Sequence, residues 1–475
     1  TCNFLRKAFP EVIGKAFLLE YNVCLTIEFL PSYNMKSILV IGAGRSASAL
    51  ITYLLNHAVQ HAWNVRVGDM NEEFAKDRVG QHSSGTAFRF DITDQKQREE
   101  EIQIADLVVS MLPATMHGQV AQDCVRFGKH LVTASYVSET MRSLHDEAKR
   151  KGVILLNEIG LDPGIDHMSA MQVIDSIHER GGELNAFYSY CGGLVAPESN
   201  DNPWGYKFSW NPRNVILAGQ GTAQFIEDGK YKYLPYQRLF AEAKSIEVKG
   251  HGSFDAYANR DSLSYRSVYG LETIPTMLRG TLRANGFCKA WDIFVKLGLT
   301  DDSWKLKNAS ELSYAQLVEA FLPAGIGSLK QRLAHLAGVE EGDSSLSMIE
   351  WTGILSDEKT PLKEASPAQI LQELLERKWK LNHGDKDMIV MQHIFEYTLN
   401  GKKHEHTSSL VVNGEDEVRT GMAKTVGTPA AIAVKLILTG AYKASGVVVP
   451  VKKELYEPVL EELKAFGVIF EEVEN

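Results

Sequence analysis

The chain has 475 residues, 44% hydrophobic and 23% charged, with a formal net charge of −10 and a pI near 5.8. At about 100–200 residues per domain this is room for roughly two to four domains with sizeable apolar cores. The acidic balance argues against nucleic acid as the main partner, which would want a basic face. No apolar run approaches the roughly 18 residues expected of a membrane span. Five scattered cysteines (Cys2, Cys24, Cys124, Cys191 and Cys288) contain no C-x-x-C pair. A disulfide framework and a structural metal site are therefore not expected, and a reducing, cytoplasmic setting is.

Residues 1–34 read as an appendage outside the fold. Basic Arg6 and Lys7 precede an apolar patch broken by Glu11, Lys15, Glu20 and Glu28, unlike the unbroken apolar core of a signal peptide. From Met35 the pattern becomes regular. Ser37–Ile41, Asn64–Val67, Ala87–Phe90, Leu107–Leu112, Leu131–Thr133 and Val153–Leu156 read as apolar strands. Helical stretches come between them at Ser46–His57, Thr115–Phe127 and Glu139–Lys151. Apolar strands alternating with helices predict a parallel sheet covered on both faces, the doubly wound dinucleotide-binding (Rossmann) fold, over residues 35–160. Beyond it the character changes. Ala186–Tyr190, Val215–Ala218 and Ser245–Val248 are short strand-like segments among Gly-, Pro-, Asn- and Tyr-rich loops. Residues 287–384 carry helical periodicity, at Ala290–Leu297, Tyr314–Leu322, Leu329–Ala337 and Pro367–Trp379. Met388–Tyr397 and His406–Val412 alternate like a hairpin, and Thr428–Thr439 is a helix of small residues. The expected fold class is α/β: a Rossmann domain, an α+β catalytic domain over 161–286 and 385–475, and an all-helical third domain. The C-terminal helices are expected to pack partly back on the first domain.

The cofactor reading rests on Gly42-Ala43-Gly44-Arg45-Ser46-Ala47, a G-x-G-x-x-A run that follows a strand and opens a helix. Gly42 permits the tight turn, Gly44 lets backbone approach a pyrophosphate, and Ala47 lets helix and sheet pack closely. The anion then sits on free N–H groups at the helix start. Asp69, at the end of the second strand, can accept hydrogen bonds from both ribose hydroxyls of NAD and would repel the 2′-phosphate of NADP. Capping of the next helix is the simpler alternative for it, and Arg45 and Arg66 leave NADP open. Asp91–Ile92 should border the adenine and Leu112–Pro113 the nicotinamide ribose. His117 reads as structural. For a substrate, the residues beyond the strand ends matter most: Thr133-Ala134-Ser135-Tyr136, then Gly160 to His167. Asp166 and His167 read as plain helix-start residues, whereas Asp162 sits at the domain crossover facing the cofactor. Arg260, Arg279 and Arg283 lie near loops and strand ends. Guanidinium forks of this kind suit a substrate with several carboxylates, or surface ion pairs.

At this point the residues resemble a known family. TASYVS (Thr133–Ser138), NEIGLDPGIDHM (Asn157–Met168), SYCGGL (Ser189–Leu194), APES with DNP (Ala196–Pro203), YKFSW (Tyr206–Trp210), NRDS (Asn259–Ser262), RGTLR (Arg279–Arg283) and MAKTVG (Met422–Gly427) are similar to the L-glutamate-forming saccharopine dehydrogenases, also called saccharopine reductases. The resemblance implies oxidative cleavage of saccharopine to L-glutamate and 2-aminoadipate 6-semialdehyde with reduction of NAD(P). It implies that Ala43–Ser46, Asp69, Asp91–Ile92, Leu112, Thr133–Ser135 and Leu161–Pro163 hold the cofactor. Ser135, Tyr136, Asp162, Arg260, Thr281, Leu282 and Arg283 would hold saccharopine. Asp162, Tyr136 and Cys191 are the candidates for proton transfer, with Cys191 alternatively only packing. Where NADP-using fungal members carry a basic residue after the second strand, this chain has Val67-Gly68-Asp69-Met70, similar to the animal NAD-using domain. In animals that domain follows a lysine–ketoglutarate reductase domain. Two other readings share the scaffold: a lysine or carboxynorspermidine-type amine dehydrogenase, and a non-catalytic NAD sensor. A homodimer is the assembly expected of such dehydrogenases.

Overall fold

The computed structural model describes residues 35–475, and the expected appendage lies outside the described residues. Lys36–Asn475 form one compact unit. The first six strands are β1 (Lys36–Ile41), β2 (Trp63–Asp69), β3 (Gly85–Arg89), β4 (Leu107–Ser110), β5 (His130–Val132) and β6 (Ile154–Leu156). A second set follows: β7 (Glu183–Val195), β8 (Thr222–Glu227), β9 (Lys230–Pro235), β10 (Lys244–Val248), β11 (Gly252–Ala258), β12 (Thr276–Ala284), β13 (Asp387–Leu399) and β14 (Lys402–Asn413). The chain then returns to both sheets, β15 (Gly446–Val448) extending the first and β16 (Glu471–Glu474) the second.

The first sheet is parallel throughout, in the order β15-β6-β5-β4-β1-β2-β3. Its central strands are apolar on both faces because helices cover both, and Ile38, Leu39, Val40 and Ile41 are all 0% exposed. The strand order reverses between β1 and β4, the switch point where ligands of such sheets bind. The second sheet is mixed, in the order β10-β11-β12-β7-β13-β14-β16, with the β8–β9 hairpin branching from β12. Gly192 on β7 allows this packing, since a Cβ there would lie 2.3 Å from the Leu282 carbonyl oxygen of β12. One face of the second sheet shares a continuous apolar core with helices Phe287–Leu297, Tyr314–Phe321, Leu329–Ala337, Ser344–Thr352 and Pro367–Lys378.

The helix Gly421–Leu438 is long and apolar enough to cross a membrane by length and composition, contrary to the expectation that no such run exists. It is a core element here, with 83% of its apolar window buried. Gly427 makes the contact close: a Cβ there would stand 2.8 Å from the Leu50 amide of the helix Ser48–His61, just behind the Gly-rich turn.

Three local expectations are corrected. Val215–Ala218 is not a strand; Pro212–Ile216 is a short helix, because Asn211 caps it and Pro212 occupies its first turn, which overrides the β-branched pair. Glu139–Lys151 is two short helices, Glu139–Ser143 and His145–Arg150, parted at Leu144. The turn before Ser48 is a 3-10 turn, Arg45–Ala47, rather than α-helix.

Candidate functional site

A cleft of about 810 Å³ opens at the switch point. One wall is Gly44–Ala47, Ser110–Ala114 and Thr133–Tyr136 from the first sheet's carboxyl edge. The facing wall brings Asp162 and Pro163 together with Phe208, Trp210, Asn211 and Asn214, and with Glu376 and Lys380 from the helical segment. Of the residues predicted for the cofactor, Gly44, Arg45, Ser46, Leu112, Thr133, Ala134, Ser135, Asp162 and Pro163 line this cleft, and Gly42, Ala43, Asp69, Asp91, Ile92 and Leu161 do not.

The cofactor wall is made of backbone. Gly42 adopts φ +101, and a Cβ there would lie 2.9 Å from the Met111 carbonyl oxygen. At Gly44 the same construction meets nothing within 4 Å, so backbone is open to a ligand from that side. No side chain caps the turn that follows, which leaves its N–H groups for an anion. Asp69 accepts from the Ala43 amide at 2.7 Å and from the Asn71 amide at 2.8 Å. The capping alternative for Asp69 goes to Asn71, which accepts from Glu73 at 3.2 Å. Asp69 instead ties the second strand's end to the Gly-rich turn, and a carboxylate has lone pairs left after two such bonds.

Both arginines that kept NADP open have protein partners, and Arg45 still lines the cleft. Arg66 pairs with Glu101 at 2.6 Å and lies over the Phe88 ring at 5.1 Å. Arg45 donates to the Phe208 carbonyl at 2.9 Å, across to the facing wall. Asp91 accepts from the Thr93 amide and hydroxyl at 2.9 and 2.7 Å, bonds that hold its carboxyl below the usual range. Ile92 and Leu161 are buried, at 6% and 5% exposure. His117 has a site role that a lone histidine in sequence does not reveal. Its imidazole bridges the Ser110 hydroxyl at 2.8 Å and the Ser135 hydroxyl at 2.7 Å, and burial lowers its pKa to about 4. A neutral ring therefore fixes Ser135 on the cleft wall.

The facing wall is made of side-chain charge. The Tyr136 hydroxyl donates to Asp162 Oδ1 at 3.2 Å. Arg279 Nη2 donates to Asp162 Oδ1 at 2.8 Å and to Asp166 Oδ2 at 2.6 Å. Asp166 also accepts from the Gly164 amide at 2.6 Å, so its expected helix-start role is half of what it does. His167 stands 2.9 Å from Glu158 and stacks on Tyr265, whose hydroxyl also donates to Glu158 at 3.1 Å. Burial, and then the nearby Asp166 carboxylate, raise Asp162 to about 6. The Tyr136 phenol is pushed well above its ordinary range by desolvation and then by Asp162. Arg279 is thus a counter-ion to two carboxylates, not a free fork for a substrate. The pattern escaped the sequence because its partners stand 117 and 113 positions apart.

Arg260, Thr281, Leu282, Arg283 and Cys191 do not line the cleft. Arg260 is exposed. Thr281 donates to Asn259 Oδ1 at 2.6 Å, and Leu282 is fully buried. Arg283 is 4% exposed and sits among the rings of Tyr206, Tyr257 and Phe287 at 5.4–5.6 Å. Its hydrogen bonds go to neutral groups, the Leu282 carbonyl at 3.0 Å and the Tyr257 hydroxyl at 3.2 Å, and its Nε has no partner among the described residues. Cys191 pairs in register with Thr281 on β12. Burial, then Asp162 and Asp166, push its thiol far up. That holds it as a thiol and fits the packing alternative better than proton transfer. Cys124, Cys191 and Cys288 are all buried free thiols. The YKFSW and DNP runs are tied together by Lys207, 1% exposed, which pairs with Asp201 at 2.8 Å and Asp385 at 2.7 Å.

Comparison with known proteins adds to this geometry. Residues 38–156 match the profile of the saccharopine dehydrogenase NADP binding domain, and residues 160–468 that of the saccharopine dehydrogenase C-terminal domain. The chain is 35% identical over 440 residues to the saccharopine dehydrogenase [NADP(+), L-glutamate-forming] of Pyricularia oryzae, covering 90% of this chain and 96% of that protein. It is 34% identical to the mitochondrial alpha-aminoadipic semialdehyde synthase of Mus musculus, covering 94% of this chain and 48% of that longer protein. Among solved structures, apo saccharopine dehydrogenase (L-Glu forming) from Saccharomyces cerevisiae superposes with a TM-score of 0.83 at 33% identity, covering 93% of this chain and 100% of that one.

Proposed function

The chain belongs to the saccharopine dehydrogenase family, and on that premise we propose that its cleft oxidises saccharopine with NAD in preference to NADP, releasing L-glutamate and 2-aminoadipate 6-semialdehyde in lysine metabolism. It is a nicotinamide-dinucleotide oxidoreductase acting on the CH–NH group of its donor. The observation that carries the reading is the shared cleft: a Gly-rich turn open to a pyrophosphate on one wall, and on the other Asp162, which the Tyr136 hydroxyl of the first wall reaches.

Saccharopine joins lysine and glutamate through a secondary amine. Asp162, raised toward neutrality, accepts the proton of that ammonium and leaves a lone pair on nitrogen. A dinucleotide held by the Gly-rich turn would supply the hydride acceptor for the lysine-side carbon beside that nitrogen. The resulting C=N bond adds water, and Tyr136 hydrogen-bonded to Asp162 carries the proton between water and the leaving nitrogen. Collapse of the carbinolamine gives the amine of glutamate and the aldehyde of the semialdehyde. Over the cycle saccharopine, water and oxidised dinucleotide become the two products, reduced dinucleotide and one proton.

Saccharopine has three carboxylates. Arg283, which has no carboxylate partner among the described residues, is our candidate for one, and it would meet that carboxylate from behind the cleft lining and not on it. Arg260, exposed, suits a second. The cofactor preference rests on Asp69, a carboxylate at the end of β2 tied to the Gly-rich turn, which would repel a 2′-phosphate bound beside it. Two unit charges about 8 Å apart at an effective dielectric near 20 repel by about 2 kcal/mol. Arg66 does not relieve this, being paired with Glu101. The fungal relatives' names specify NADP(+), so this preference distinguishes the chain from them. A reducing, cytoplasmic compartment and a homodimer complete the proposal; cell fractionation and sedimentation test them.

The test is reduced-nicotinamide absorbance with saccharopine, lysine or a carboxyalkyl polyamine as donor, each with NAD and with NADP. Turnover with saccharopine and NAD, with glutamate formed mole for mole, is expected. Turnover only with lysine or the polyamine would move the chain to the amine-dehydrogenase reading. NAD binding without turnover would make it a sensor.

A further inference from the structure

Arg279 does not treat its two carboxylates as an ordinary ion pair would. The same nitrogen, Nη2, reaches Asp162 at 2.8 Å and Asp166 at 2.6 Å, and the Arg279 Nε has no partner among the described residues. A guanidinium with one carboxylate tends to form two parallel bonds to it. Here the Tyr265 ring lies 4.2 Å below the guanidinium, and Asp166, 1% exposed, holds its place through the Gly164 amide at 2.6 Å. The guanidinium is therefore shared by construction. Of the two carboxylates only Asp162 reaches the cleft. Behind Asp166 stands a further layer, with His167 Nδ1 3.7 Å from Asp166 Oδ2 and its Nε2 2.9 Å from Glu158.

We propose that Asp166 is a positioning residue for the oxidation: by sharing Arg279 it keeps Asp162 oriented to the cleft and basic enough to take the substrate's ammonium proton. The inference rests on the saccharopine reading of the cleft and deepens it. A carboxylate that owned Arg279 alone would be strongly acidic and a poor proton acceptor near neutral pH. Two carboxylates around one guanidinium leave one negative charge in excess, and it falls to the member that faces the substrate. The groups that face Asp162 come from every neighbouring element. They are Tyr136 from the β5 loop, Asp166 and His167 from the helix Ile165–Glu179, Arg279 from β12, Cys191 from β7 and Tyr257 from β11. Desolvation and Asp166 act upward on Asp162, and Arg279, His167 and Tyr136 act downward. Removing Asp166 both deletes an upward influence and releases Arg279 to Asp162 alone, so the two effects have the same sign.

The test is the pH dependence of kcat and kcat/KM for saccharopine oxidation in wild type, Asp166→Asn and Asp166→Glu, with folding checked by circular dichroism. In Asp166→Asn the acid limb is expected to move to lower pH by about one unit or more, and kcat at neutral pH to fall by roughly three- to tenfold. Asp166→Glu, which restores the carboxylate, should return the limb toward its wild-type position. A fall in activity with the limb unmoved, or no change at all, would overturn the inference, because a merely structural role shifts rate without shifting the limb. If Asp166→Asn does not fold, the comparison moves to Arg279→Lys alone and with Asp166→Glu. A limb that responds to neither change would also overturn it. Absence of saccharopine turnover by the wild type would remove the parent reading and this inference with it. Wild-type turnover with an unmoved limb in Asp166→Asn would remove this inference alone.

Discussion

The two walls of the cleft are built from different materials. The cofactor wall uses backbone amides, glycines and one carboxylate, and its polar groups are satisfied within a short stretch of chain: Asp69 binds Ala43 and Asn71. The substrate wall uses buried charges drawn from distant segments, Asp162 and Asp166 against Arg279, with Arg283 left unpaired nearby. A ligand that is nearly constant, a pyrophosphate, is met by geometry that a local motif encodes. A ligand with several carboxylates and a reacting amine needs charges whose strength is set by one another, which only the tertiary fold can arrange.

Substitutions on the two walls should separate these modes. The largest effect is expected from Asp162→Asn on the charged wall. With the carboxylate beside Tyr136 and Arg279 replaced by an amide, kcat should fall by roughly 10²–10⁴-fold. The sign of the wild-type pH dependence follows from the same group. Asp162 acts as a base only when ionised, and its pKa is raised to about 6. Activity should therefore decline as pH falls through about 6, and stopped-flow rates of Asp162→Asn should lack that limb. Next comes Arg283→Met. Removing the arginine from the buried pair it would form with a bound carboxylate costs about 2–5 kcal/mol, so kcat/KM for saccharopine should drop by roughly 30- to several-thousandfold. Urea unfolding of the substrate-free protein should show equal or greater stability, since an unpaired buried charge is gone. A protein destabilised by this change would mean that Arg283 serves the fold and not the substrate.

On the backbone wall, Asp69→Ser should leave NAD turnover within a fewfold and raise NADP use by roughly ten- to a hundredfold, read as the ratio of the two kcat/KM values. An unchanged ratio would place the 2′-phosphate away from Asp69. The smallest effect belongs to the scaffold behind that wall. Gly427→Ala would push a methyl to 2.8 Å from the Leu50 amide. A loss of about 1–3 kcal/mol is expected, seen as a Tm lower by several degrees with little change in KM for saccharopine.

The same contrast explains what the sequence disclosed. The parallel sheet, the Gly-rich turn and its place at β1 were legible because each is a short-range pattern: apolar runs, glycine spacing, an acid at a strand end. The segments Thr133–Tyr136 and Gly160–His167 were singled out by the rule that ligands sit at the carboxyl ends of strands, and Asp162 and Pro163 of the second line the cleft. The hairpin of β8 and β9 was not read, since Tyr231 and Tyr233 are exposed and leave no clean alternation of buried and exposed positions. The seventh strand of the first sheet, β15, comes from far along the chain and is only three residues long. Asp166 and His167 read as helix-start residues and Glu158 only as part of the NEIGLDPGIDHM run, and their pairing with Arg279 and Tyr265 exists only in the folded chain. The contribution of Glu376 and Lys380 from the helical segment to the cleft was invisible for the same reason.

The most direct test is a labelled turnover. Saccharopine deuterated at the lysine-side carbon beside the secondary amine is mixed with the protein and NAD, and the reduced dinucleotide and amino-acid products are examined by mass spectrometry. Deuterium should appear in the reduced nicotinamide, with unlabelled glutamate formed in equal amount. Unlabelled reduced dinucleotide, or no reduction at all, would contradict hydride transfer from saccharopine in this cleft.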